Sequence, residues 1–309
     1  MDPNRRHFIK ATTLAATSGI LWPGKILASP APVKKIRILV WDERSDTQKE
    51  AYDHFLGNYI SGRLALQPEF SVISAGLDDP LQGLSGEVLD KTDLLIWWGH
   101  TRQAEISPET GRDLVRRISE GTLSLIALHS AHWSTPFVEA MYEITRRNLT
   151  KKASIGPQDL TYIRPSEPYK APGYDQRVTP YTVERKFPDG SSKYQVHLPI
   201  CCFPAYRNDG KPSTVKVRLP DHPIMQALPS EFTLSNTEMY DEPFHVPEPD
   251  SVLMEECWAG GEWFRSAMLW KLDKGHVFYF RPGHEAYPVY KDQKVMQILS
   301  NAAKWLAHV

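Results

Sequence analysis

The sequence predicts an α/β fold built on a parallel sheet. Short, compact apolar runs alternate with stretches of helical periodicity, which is the pattern of repeated βαβ units. The apolar runs stop abruptly at His, Glu and Gly residues, as strands do where their C-terminal ends meet a ligand site. The chain also closes on an amphipathic helix.

Taken in order, Ile36-Arg37-Ile38-Leu39-Val40-Trp41 suits a buried strand, and residues 48–66 carry helical spacing through Ala51, Phe55, Tyr59 and Ile60. Residues 70–75 make a second strand. Leu94-Leu95-Ile96-Trp97-Trp98 is a third, ending at Gly99-His100. A helix over 108–118 is announced by Ser107 as N-cap and Pro108 at its first position. Residues 123–129 form a fourth strand, followed by a helix near 136–144. Right-handed crossovers then stack these strands in parallel, with both sheet faces covered. From about 148 to 220 the pattern breaks into Pro, Gly, Lys and Tyr without a long apolar run, which reads as an insertion of loops and short strands able to act as a lid. The sheet resumes at 252–257, 266–271 and 276–280. Residues 292–307 close the chain with Val295, Ile298, Leu299, Ala302 and Trp305 on one helix side. One domain over 36–309 is therefore expected.

Ahead of it, Asn4-Arg5-Arg6-His7-Phe8-Ile9-Lys10 matches a twin-arginine export pattern. A weakly apolar stretch to Trp22 and small residues at Ala28-Ser29 complete a signal over 1–28, with 29–35 as linker. This predicts a protein folded before export that works in the periplasm. No later run is long and apolar enough to span a bilayer. The formal charge of -1, from 36 basic and 37 acidic residues, provides no field for nucleic acid or an anionic membrane, so a small neutral ligand is expected. Three cysteines, Cys201, Cys202 and Cys257, are too few for a disulfide framework and read as buried thiols.

The chemistry gathers at the strand ends. His129 and His132 sit three apart where a strand turns into a helix, the place for metal ligands or for a base and its partner. Each also has a purely structural use, capping a helix or satisfying a buried carbonyl. Parallel topology brings His100 and the Arg281-Pro282-Gly283-His284-Glu285 stretch towards the same edge. Trp97 and Trp98 cannot share a strand face, so at least one belongs to the core. His54, His197, His245, His276 and His308 show no converging partners.

Several longer stretches carry a family resemblance: Leu94 to His100 (LLIWWGH), Leu128 to His132 (LHSAH), Asp221 to Ile224 (DHPI), Glu238 to Phe244 (EMYDEPF), Gly260 to Ser266 (GGEWFRS) and Phe278 to Pro288 (FYFRPGHEAYP). In this order they resemble the ThuA-like family, named for trehalose utilisation. The resemblance implies a flavodoxin-like, three-layer fold related to class I glutamine amidotransferases. At the position of His129 those enzymes would carry a cysteine nucleophile, so glutamine hydrolysis is not expected. It also implies a neutral carbohydrate substrate, acted on after a sugar dehydrogenase has made it a ketone. A divalent metal, zinc or manganese, would then assist proton abstraction, with elimination or isomerisation following; no nucleotide is needed. His100, His129, His132 and His284 are the candidate metal ligands, and Glu238, Glu285 and His132 the candidate catalytic groups. Trp98, Tyr240, Arg265, Arg281 and Tyr287 are the candidate sugar contacts. Two other readings stand beside this one: a non-catalytic sugar-binding accessory protein, and a hydrolase using Ser130, His284 and Glu285. Twin-arginine export suits a metal site loaded before export.

Overall fold

The computed structural model describes residues 34–153, 155–165, 169–199 and 202–307. The export signal 1–28, linker residues 29–33 and Cys201 lie outside the described residues.

Alternation of strand and helix produces the first half of the fold. Strand β1 (Ile36–Asp42) leads to helix α1 (Leu56–Leu64), β2 (Phe70–Gly76), α2 (Gly86–Asp90), β3 (Leu94–Trp98), α3 (Pro108–Glu120), β4 (Ser124–Leu128) and α4 (Thr135–Ala153). The insertion contributes β5 (Leu160–Ile163), β6 (Tyr181–Lys186), β7 (Ser192–His197) and β8 (Ala205–Arg207). Then follow β9 (Ser213–Val217), β10 (Glu231–Leu234), β11 (Met239–Asp241), β12 (Ser251–Cys257), β13 (Trp263–Leu272), β14 (Gly275–Phe280) and α5 (Gln293–Leu306). Residues 34–309 cluster as a single unit.

The main sheet runs β10-β9-β12-β13-β14-β4-β3-β1-β2. Its half from β2 to β14 is parallel throughout, whereas β13, β12, β9 and β10 pair antiparallel. The parallel βαβ units expected before the insertion are therefore present, and the strands after it make the sheet mixed. The reason is local: β13 and β14 are joined through Asp273 and Lys274 alone, with Asp273 at φ +54°, and so short a loop can only reverse the chain.

Every residue of β3 and β4 is buried. Trp97 faces one core layer with α3 and α4, its ring stacked on Trp41 at 3.8 Å; Trp98 faces the other with α1 and α5. Two apolar layers around one sheet make the three-layer α/β architecture. Helix α3 begins where Ser107 accepts from Thr110 N and ends at Gly121 in the left-handed conformation. In α5 the Asp292 side chain accepts from Lys294 N, and Val295, Ile298, Leu299 and Ala302 are buried.

The helix expected over 48–66 is broken. A short 3-10 turn (Asp46–Glu50) precedes α1, because the Gln48 carbonyl accepts from Leu56 N (2.8 Å) and the Asp42 carboxylate from Gly57 N (2.7 Å). These side chains take the first orphan N–H groups and start the helix at Leu56. The insertion is also shorter than 148–220. Helix α4 runs through its first residues, and β9 belongs to the main sheet. In between, β5-β7-β6 form a separate three-stranded sheet, while β8 pairs with β11. Among the described residues no helix is long and apolar enough to cross a membrane.

Candidate functional site

Four chain segments meet at the C-terminal edge of the parallel strands. The turn after β4 carries His129 with φ +49°, a backbone state costly for a side chain with Cβ. Surrounding bonds hold it there. Tyr279 Oη donates to the His129 carbonyl (2.9 Å), and Ser130 Oγ and Gln103 Nε2 both donate to the Gly99 carbonyl (2.7 Å each). The turn after β3 is pinned by the buried Glu43 carboxylate, which accepts from the backbone N–H groups of His100 (2.6 Å), Thr101 (3.0 Å) and Arg102 (3.0 Å).

Two histidine–carboxylate pairs result. His100 Nδ1 lies 2.7 Å from Glu285 Oε1, and His129 Nε2 lies 2.9 Å from Glu238 Oε2. The ring of His284 stands between them, 5.5 Å from each of the other two histidine rings. Because the Arg281 carbonyl only accepts, His129 Nδ1 must donate to it (2.7 Å), which leaves Nε2 facing Glu238. Tyr240 stacks on His129 at 5.1 Å.

The charges sort themselves by burial and partner. Burial disfavours the Glu285 carboxylate, but the hydrogen bond and charge of His100 outweigh it and hold its pKa at about 2. Burial likewise opposes ionisation of Glu238, and the His129 contact brings its pKa below the ordinary value. For His284, burial and then the neighbouring His129 push the pKa down to about 4, so the ring is neutral at physiological pH. His100 goes the other way: burial lowers it, yet Glu285, Glu238 and Glu43 together raise it above the usual histidine value. His100 is also the opening of the cluster, with its side chain 30% exposed against 7% for His284 and 6% for Glu285.

This arrangement fits a divalent cation. One nitrogen each from His100 and His284 and one Glu285 oxygen lie within 4.8 Å of one another. Glu285 Oε2 is buried without a hydrogen-bond partner, an acceptor that a cation would satisfy. Two imidazoles and a carboxylate are the donor set of catalytic zinc and related sites, which leave positions open for substrate.

Six of the residues singled out in the sequence thus converge: His100, His129, His284, Glu238, Glu285 and Tyr240. Tyr287 stands at the margin, 5.4 Å ring to ring from His284. Four others are placed elsewhere. His132 is boxed by the rings of Phe203, Tyr240, Phe244 and Tyr279, outside the three-residue ligand group, because the turn after His129 carries it into the core. Trp98 is fully buried and donates its indole N–H to the Gly283 carbonyl (3.0 Å), so it has no face for a sugar. Arg281 is fully buried; Glu256 and the Glu238 carbonyl take its donors. Arg265 is engaged by Glu242 (2.8 Å). Ser130, required by the hydrolase reading, is buried and spends its proton on the Gly99 carbonyl rather than on a base. Sequence reasoning gave no role to Glu43, one of the residues at which the first apolar run stops, and missed Asn208, whose insertion segment has no periodicity to place it. A separate cavity of about 570 Å³ lies between α3 and α4, away from the histidines. Ion pairs lace it, among them Glu143 with Arg146 and Arg147.

A sheet with mostly parallel central strands, helices on both faces and a strained residue at the elbow after a central strand make a flavodoxin-like α/β fold, here carrying an imidazole at the elbow. The chain belongs to the ThuA family, described as "Trehalose utilisation", whose model matches residues 37–306. Among solved structures it is similar to a protein described as thua-like from Parabacteroides merdae ATCC 43184, at 15% identity and TM-score 0.57, covering 89% of this chain and 91% of that one. A second, described likewise and from Bacteroides uniformis ATCC 8492, gives 12% identity and TM-score 0.54, covering 91% and 94%. At these identities the likeness concerns the fold. No curated protein matches the chain.

Proposed function

We propose that this protein is an exported, metal-dependent enzyme of carbohydrate catabolism that removes a proton from a keto-sugar or keto-glycoside, leading to elimination or isomerisation. The observation that carries the reading is the meeting of two histidine–carboxylate pairs across neutral His284. The ThuA family supports the carbohydrate, and the Asn4–Lys10 pattern supports the periplasm.

Oxidation at C3 of a glycoside acidifies the neighbouring C2–H. Glu238, kept ionised by His129, is the base that takes this proton. His129 is itself held in one orientation by the Arg281 carbonyl, so the pair needs no reorganisation. Burial pushes the Tyr240 phenol far above its ordinary pKa, which keeps it a proton donor facing the developing oxyanion. In the elimination branch the C2 electron pair forms a C1=C2 bond as the C1–O bond breaks. The proton held by Glu238 then passes to the leaving oxygen, and the C3 ketone is restored. Zinc or manganese held by His100, His284 and Glu285 would supply Lewis-acid stabilisation of the enolate charge. With Glu285 ionised and His284 neutral, two of the three donors are already in the state a cation requires.

Metal analysis of protein purified without added metal tests the reading. About one equivalent of zinc or manganese is expected, lost in His284→Ala and Glu285→Gln and retained in His132→Ala. A metal-free protein that binds sugar but turns nothing over would instead be an accessory protein.

A further inference from the structure

The insertion reaches the site through β8. Tyr206 lies directly opposite Tyr240 in the β8–β11 pair, and two residues on, Asn208 places its amide 3.3 Å from His284 Nε2. Tyr287 Oη donates to the Asn208 carbonyl oxygen (2.5 Å), so this amide is fixed from both sides. Tyr206 is 48% exposed.

It is not an isolated surface tyrosine. Its ring lies 5.5 Å from Phe203, which in turn lies 4.9 Å from His132 beneath the site. The Arg177 guanidinium stands 4.9 Å from the Phe203 ring and 4.0 Å from Tyr174, and is tied by its donation to the Pro204 carbonyl (2.6 Å). Tyr174 is 70% exposed. The insertion therefore lays a ledge of Tyr206, Phe203, Arg177 and Tyr174 that starts beside Tyr240 and leads outwards. Exposed aromatic faces with an adjoining amide and guanidinium suit the C–H faces and hydroxyls of a neutral sugar.

We propose that this ledge is a second-ring subsite: the oxidised sugar sits at the histidine cluster, and Tyr206 and Tyr174 stack the other ring of a disaccharide-type glycoside. This rests on the keto-sugar reading and names its substrate class as a glycoside of at least two rings. A single sugar would leave the ledge bare.

Calorimetric titration with unoxidised trehalose and with glucose tests it without relying on turnover. Trehalose is expected to bind about tenfold more tightly than glucose. Tyr206→Ala and Tyr174→Ala should remove that advantage while glucose binding and the unfolding temperature stay unchanged, because both side chains are exposed; Tyr206→Phe should keep it. Trehalose binding no tighter than glucose, or equal in wild type and both alanine variants, overturns the subsite. If the advantage depends on the two tyrosines but no keto-sugar is ever turned over, the subsite stands and the catalytic reading falls.

Discussion

Replacing Glu256 with Ala separates a supporting role for Arg281 from a substrate-binding one. Both side chains of this ion pair are completely buried; Arg281 Nε donates to Glu256 at 2.9 Å, and Ser213 Oγ donates to the same carboxylate at 2.7 Å. Removing the carboxylate leaves a guanidinium without a counter-ion in the core, which costs about 3–5 kcal/mol. Set against a total stability of roughly 5–15 kcal/mol, this lowers the unfolding temperature by roughly 6–20 °C. The loss also reaches the site, since Arg281 donates to the Glu238 carbonyl and its own carbonyl holds His129. Thermal unfolding followed by circular dichroism, with turnover measured below the transition, reads both effects. The double replacement Arg281→Met with Glu256→Leu should regain most of the stability, because no unpaired charge remains, but not the turnover. An unchanged unfolding temperature in Glu256→Ala would refute the argument, as would an Arg281 variant that weakens only substrate binding.

Ser130→Ala should keep its kcat/KM within about threefold, because the hydroxyl serves a carbonyl and no base; loss of turnover insensitive to chelators would restore the hydrolase reading. Gly283→Ala should destabilise by about 3 kcal/mol or more. Gly283 has φ +134°, and a Cβ there would stand 2.1 Å from Tyr290 Oη; a wild-type unfolding curve would contradict this. Glu143→Gln addresses pH. Burial raises the Glu143 pKa, but hydrogen bonds from Arg146 and Arg147 outweigh it and lower it below 4.5 in the folded state. Its stabilisation is therefore complete above the unfolded value and lost as pH falls through the folded one. Denaturant titrations should show the variant less stable by about 0.5–1 kcal/mol at pH 7, the gap closing below pH 4.5; a gap independent of pH would contradict the assignment.

The parallel half of the sheet was legible because β3 and β4 are buried on both faces, β1 is buried but for Arg37, and all three read as compact, mostly apolar runs. The antiparallel half was not, since its direction is set by a two-residue loop at Asp273 rather than by strand composition. The break before α1 was hidden for a similar reason: helical spacing continued through Ala51 and Phe55, while Asp42 and Gln48 decided the start by taking the N–H groups of Leu56 and Gly57. At the site, strand ends named His100, His129 and His284 correctly as neighbours. Spacing alone could not say that the turn after His129 buries His132 among aromatic rings, or that Trp97 and Trp98 are both core. Asn208 comes from an aperiodic segment, so only the fold brings it to His284.

The most direct test of the central claim is to incubate metal-replete protein with a 3-keto disaccharide in D2O and follow it by NMR and mass spectrometry. Proton abstraction by Glu238 predicts loss of the C2 proton with cleavage of the disaccharide where the leaving group departs, or deuterium at C2 of the recovered or isomerised keto-sugar where a proton returns to C2, both abolished in Glu238→Gln. A disaccharide recovered intact and unlabelled beyond the protein-free control would contradict it.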